Sequence, residues 1–204
     1  MNNKYISLAL ASAILLGLIN AQAQSLPGTR VRGSITGFDG HELQVRTREG
    51  QALNISIIDS TRINTLVTHK LGDIKQGTFI GVTAVPQAPG APLLAREVHI
   101  FSEAQRGTGE GHYAWDLEPG SSMTNANVDA MVKTNDGKML TLGYKDGSQN
   151  IIVPQGVPIV SFKPADKSLL KKGAQIFCAT LLGDDGRLVA RFVTVSAHGK
   201  RPPM

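Results

Sequence analysis

A chain that carries the same pattern twice is constrained to build the same unit twice. In this chain of 204 residues, "VRGSITGFDGHELQVRTREGQALNIS" lies over "VDAMVKTNDGKMLTLGYKDGSQNIIV" without a gap. A constant shift takes Val31 to Val128, Ile35 to Val132, Asp39-Gly40 to Asp136-Gly137, Leu43 to Leu140, Val45 to Leu142 and Gly50 to Gly147. With small slips the match continues. Gly77 meets Gly173, Ile80 meets Ile176, Ala95-Arg96 meets Ala190-Arg191, and Val98 meets Val193.

Each copy reads as β-structure. Leu43, Val45 and Thr47 alternate with Glu42, Gln44, Arg46 and Arg48, the period of a strand with one wet face. Val31, Gly33 and Ile35 alternate in the same way, and so do Leu53, Ile55 and Ile57. Asp39-Gly40 and Glu49-Gly50 supply the positive φ that hairpin turns need. "THKLGDIKQG" suits one helical turn, and "TFIGVTAV" and "LLAREVHIF" complete the unit as two further strands. Five strands with a short insert between the third and fourth predict an OB-like barrel, with a small SH3-like barrel as the alternative. The expected fold class is therefore all-β, two tandem small OB-like five-stranded barrels.

The first residues bear on location. Lys4 precedes an apolar run from Ile6 to Ile19, and Ala21-Gln22-Ala23 follows. This is the pattern of a secretory signal peptide cut after Ala23. The run is shorter than the ~20 residues that cross a bilayer, and no later segment is apolar enough to span. A periplasmic or secreted protein is expected, with no membrane span after cleavage. Losing Lys4 lowers the net charge from +5 to +4. The basic residues are scattered, which favours a solvated surface over a nucleic-acid patch. Base stacking needs aromatic platforms, and aromatics make up 5% of the chain; no nucleic-acid partner is expected. The single cysteine, Cys178, lies in the apolar "AQIFCATLL" and reads as a buried structural thiol.

Catalytic templates are missing. There is no G-x-S-x-G, no H-E-x-x-H and no paired-cysteine spacing. Of the five histidines, His112 is the candidate, with Glu110 and Asp116 near it in sequence. His99 sits between Val98 and Ile100 on a strand and reads as a hydrogen-bonded structural residue. No enzyme activity, catalytic residue, metal ligand or cofactor is expected.

One segment occurs only once. "RGTGEGHYAWDLEPGSSMTN", Arg106 to Asn125, joins the two copies and holds the only tryptophan. In "HYAWDL", Tyr113, Trp115 and Leu117 fall on one side and His112, Ala114 and Asp116 on the other. The tryptophan side would pack on a barrel as a clasp. The other side would face solvent or a cleft. Arg106, Glu110, His112, Trp115 and Asp116 are the candidate ligand-binding residues, with Arg106 suited to an anion or carboxylate and Trp115 to anchoring. An unknown small molecule, a glycan or an envelope protein would be the partner. The alternative is a metal-binding protein using His112 with Glu110 and Asp116, tied to metal transport or homeostasis. Less favoured are a hydrolase on the same residues and a binder of single-stranded nucleic acid.

Together, "EVHIFSEAQRGTGEGHYAWDLEPGSSMTNANV", the flanking repeats and the closing "RPPM" resemble a family of exported bacterial proteins with no assigned activity, commonly labelled metal ABC transporter permease. A permease needs several apolar spans, and this chain has none after its leader. The resemblance implies a tandem OB-like module in the periplasm and supplies no catalytic residues. The expected organisation is a signal peptide at 1–23, a first barrel at 24–101, a connector at 102–125, a second barrel at 126–199 and a tail at 200–204.

Overall fold

A computed structural model describes residues 29–196. The signal-peptide reading, His198 and the tail lie outside those residues. The described chain is all-β, with three short 3₁₀ turns and no α-helix. The first repeat supplies β1 (Arg30–Phe38), β2 (Glu42–Thr47), β3 (Ala52–Ser56), β4 (Arg62–Thr68), β5 (Phe79–Val85) and β6 (Leu93–Ile100). The connector holds β7 (Gly111–Ala114). The second repeat supplies β8 (Ser122–Thr134), β9 (Gly137–Tyr144), β10 (Gly147–Pro154), β11 (Ile159–Pro164), β12 (Gln175–Leu182) and β13 (Leu188–Ser196). The helical turn expected in "THKLGDIKQG" is the 3₁₀ turn Leu71–Asp73, and Lys167–Leu169 is its counterpart. Each repeat also has a strand that the alternation pattern did not mark, β4 and β11.

Hydrogen-bond pairing does not follow the repeat boundaries. β5, β6, β8, β9 and β10 close a five-stranded barrel, sealed where β10 runs parallel to β6. A second closed ring of pairing links β1, β2, β3, β13 and β12, sealed where β13 runs parallel to β3. Each ring thus takes three consecutive strands from one repeat and the last two from the other. This corrects the expectation of one barrel per repeat at 24–101 and 126–199. The physical reason lies in the repeat itself. The last two strands of either copy carry the same inward pattern, so each pair fits either three-strand sheet. Exchange of identical elements costs little when both partners are present.

β4 and β11 make the exchange possible. They pair antiparallel with each other, and each also runs parallel to the last strand of the opposite repeat. Leu66 lies opposite Phe162 in this ribbon.

Each ring has its own core. Leu43, Val45, Ile55, Ile63, Ile176 and Val193 are buried in one cluster. Their counterparts Leu140, Leu142, Ile151, Ile159, Ile80 and Val98 are buried in the other. Cys178 belongs to the first cluster, and burial pushes its thiol up to about 12. The first strands correct the gap-free alignment. Ile35 pairs with Val45 as Val128 pairs with Leu142, so Val128 is the counterpart of Ile35 and not of Val31. Both strands carry a bulge just after that residue. Aligning the Asp-Gly turns concealed extra residues, 132–135, in the arm of β8 that leads to its turn.

Candidate functional site

The two rings do not touch along their whole facing surfaces. Strand alternation sends Ile176 and Cys178 inward, and so sends Phe177 and Ala179 outward. In β13 the outward residues are Phe192 and Thr194. On the second ring they are His99 of β6 with Met123 and Asn125 of β8. These faces oppose each other across a cavity of about 590 Å³. Its floor is the β4–β11 ribbon, through Arg62, Asn64, Phe162 and Pro164, and its roof is the connector, through Gln105, Thr108, Gly109, Tyr113 and Trp115. The volume is in the range of small-molecule sites, roughly 300–1,000 Å³.

Six aromatic side chains line this cavity: Phe101, Tyr113, Trp115, Phe162, Phe177 and Phe192. The His99 ring stands edge-on to Phe101 at 4.3 Å between centroids and lies 5.5 Å from Phe162. Phe177 and Phe192 are 5.8 Å apart, and Tyr113 and Trp115 6.1 Å. Such edge-on and tilted contacts suit ring quadrupoles. The guanidinium of Arg30 sits 3.8 Å from the centre of the Trp115 ring, a cation–π contact.

Polar atoms on the same walls lack partners. His99 Nδ1, Asn125 Oδ1, Trp115 Nε1 and Thr194 Oγ1 are buried with no hydrogen bond among the described residues. An unpaired buried polar atom costs about 1–3 kcal/mol, so four around one cavity are a concentrated expense. Asn125 is otherwise fixed, because its Nδ2 donates to the Tyr113 hydroxyl at 3.1 Å and to the Thr108 carbonyl at 3.2 Å. His99 is 4% exposed, and burial lowers its pKa to about 4, which keeps the ring neutral near neutral pH. Gly81 makes room for both groups: a Cβ there would collide with the His99 ring and the Asn125 carbonyl oxygen. Among the described residues no Asp or Glu lines the cavity, whereas Arg30 and Arg62 do. Arg62 makes no side-chain hydrogen bond or ion pair among the described residues.

The structure separates the five residues singled out in the connector. Arg106 bonds both carboxylate oxygens of Glu103, Asn127 Oδ1 and the Gly77 carbonyl. Glu110 accepts from the Lys145 backbone at 3.0 Å, at the turn between β9 and β10. His112 Nδ1 lies 2.8 Å from Thr124 Oγ1, its ring stacks on Tyr144, and partial burial lowers its pKa. These three fasten the connector to the second ring. Asp116 goes to the first ring, 2.8 Å from Arg32 and 3.6 Å from Arg30. Burial raises the pKa of Asp116, but the two arginines outweigh this and hold it below the usual range. Glu118 returns to the second ring through Arg96. Trp115 alone of the five lines the cavity, half-buried instead of sealed in a core.

His112 and Asp116 therefore share no partner, and among the described residues no three His, Cys, Asp or Glu side chains converge as a metal site. One other polar chain stands out. His69 Nε2 lies 2.8 Å from Ser161 Oγ, and His69 Nδ1 lies 3.7 Å from Asp73.

Most of the cavity was hidden in the sequence reading. His99 read as a structural residue. A usable signal was present in "IFCATLL" and "ARFVTV", where both sides of the strand are apolar. A strand apolar on both faces is covered on both faces. Comparison with protein-family models, curated proteins and solved structures returned no match. No helix among the described residues is long and apolar enough to cross a membrane.

Proposed function

We propose that this chain is a periplasmic or secreted, non-enzymatic binding protein made of two OB-like barrels with exchanged strands, and that its ligand is a small organic molecule held between them. The observation that carries this reading is the inter-ring cavity, with aromatic walls and four buried polar atoms that have no partner. Aromatic faces supply most of the contact area in such sites, and a few fixed polar groups set the orientation. The connector gives the cavity its roof, which accounts for a segment that occurs once in a chain otherwise built twice.

Ala179→Phe tests the reading by filling the cavity from one wall. A thermal-shift screen of small molecules should yield compounds that stabilise the wild type and not the variant. A ligand at a hundred times its Kd adds about 2.7 kcal/mol of stability. Equal stabilisation of both proteins, or no stabilising compound at all, would contradict the proposal.

A second reading, ester or amide hydrolysis, is favoured by one observation, the Ser161–His69–Asp73 chain. Nucleophile, base and carboxylate stand in the order a serine hydrolase uses, although the carboxylate is beyond hydrogen-bond distance. A fluorophosphonate probe that labels Ser161, and fails to label His69→Ala, would establish it. An unlabelled wild type would dismiss it.

A further inference from the structure

We infer that the ligand of the inter-ring cavity is an organic anion with a flat, largely apolar body. It would carry its acidic group toward Arg62 and Arg30. This rests on the proposal that the cavity is a binding site, and adds the class of molecule it takes.

Two observations converge. The first is the sign of the charge. Among the described residues, two guanidinium groups line the cavity and no carboxylate does. Arg30 is already engaged by the Trp115 ring and, at 3.6 Å, by Asp116. Arg62 has no partner among the described residues. An unpaired guanidinium beside a cavity without acids attracts a carboxylate, sulfonate or phosphate, which it meets in a two-pronged geometry.

The second is the shape of the walls. Phe162, Phe177 and Phe192 offer ring faces and edges on the floor and on the first ring, with Trp115 and Tyr113 overhead. Flat bodies gain more contact between aromatic rings than branched chains do.

The test uses two dyes that differ in a single group. Anilinonaphthalene sulfonate has the flat body, an N–H donor and an anionic group; phenylnaphthylamine is the same body without the sulfonate. Trp115 is the only tryptophan, so quenching of protein fluorescence reports on the cavity itself. The sulfonate should bind one per chain with quenching, and about tenfold more tightly than the neutral dye, equivalent to about 1.4 kcal/mol. Arg62→Ala should remove that tenfold advantage and leave the affinity for the neutral dye unchanged, while Arg62→Lys should retain part of it. If both dyes quench Trp115 with equal affinity, or Arg62→Ala weakens both alike, the anion assignment is overturned and the cavity reading survives. If neither dye quenches Trp115, or Ala179→Phe binds both as wild type does, the binding site itself is lost, and the inference with it. Far-UV circular dichroism of each variant keeps a folding failure from passing as a binding loss.

Discussion

Leu43, Val45 and Ile55 fill the first ring where Leu140, Leu142 and Ile151 fill the second, yet the faces these rings turn toward each other have little in common. Where β12 places Phe177, β5 has Gly81; where β13 places Thr194, β6 has His99. One wall is aromatic, and the other is a polar cradle of His99 and Asn125 opened by a glycine. The interiors answer to a single requirement, closing a small barrel without voids. The facing surfaces answer to something else. That contrast is the reason for placing function between the rings and not inside either.

The largest expected effect comes from breaking the exchange. A fragment ending at residue 101 has β1–β3 without β12 and β13, and β5–β6 without β8–β10. It should show no cooperative unfolding as a monomer. Any folded material should sediment as a dimer in which two copies supply each other's missing strands. A folded monomer would mean that the repeat can close its own barrel.

Next in size are matched truncations of the cores. Leu43→Ala and Leu140→Ala should each cost about 2–5 kcal/mol in urea unfolding. The two losses should agree to within about 1 kcal/mol, because the rings are counterparts and both sites are fully buried. A large loss at one and almost none at the other would break the internal equivalence of the rings.

His99 sharpens the difference between the walls. Its folded pKa of about 4 lies below the ordinary 6.5, so between those values the unfolded chain takes up the proton first. Stability from this residue is fully present above pH 6.5 and is lost as the pH falls toward 4, by roughly 3 kcal/mol in all. Arg30, Arg62 and Tyr113 are the other ionisable groups lining the cavity, and Glu97 precedes His99 on β6. The difference between wild type and His99→Gln therefore isolates the ring. Thr194→Val on the opposite wall should give no such pH window. Parallel pH profiles for wild type and His99→Gln would show that the ring is not held neutral by burial.

The smallest effect is expected in the clasp. Asp116→Ala removes the half-exposed partner of a largely buried Arg32 and should cost about 1–2 kcal/mol. A loss several times larger would make the connector a structural strut and weaken its reading as a roof over a binding space.

Strand positions were legible in the sequence wherever alternation and Asp-Gly turns set them, as in β2, β3 and β9. β4 and β11 were missed because "RINTLVT" and "IVSFKP" lack a clean period of two: both lie in a ribbon with neighbours on each edge and mixed burial. The exchange of strands could not be read at all. Local pattern fixes which residues face inward but not which copy's last strands arrive, and in a repeat the two choices look alike. In the connector, Trp115 stood out because it is unique in the sequence. His112, Glu110 and Arg106 looked like chemistry because polar residues crowd there, yet each is engaged by a group of the second ring or the connector itself. His99, Asn125 and Phe177 were concealed, since an outward residue on a two-sided strand reads like core.

The most direct test of the cavity as the functional site is a nitrogen–proton correlation spectrum during titration with anilinonaphthalene sulfonate. The single indole N–H of Trp115 and the amides of His99, Asn125 and Phe177 should shift together and saturate at one dye per chain. Shifts confined to the outer loops of either ring, with the indole resonance unmoved, would contradict the account.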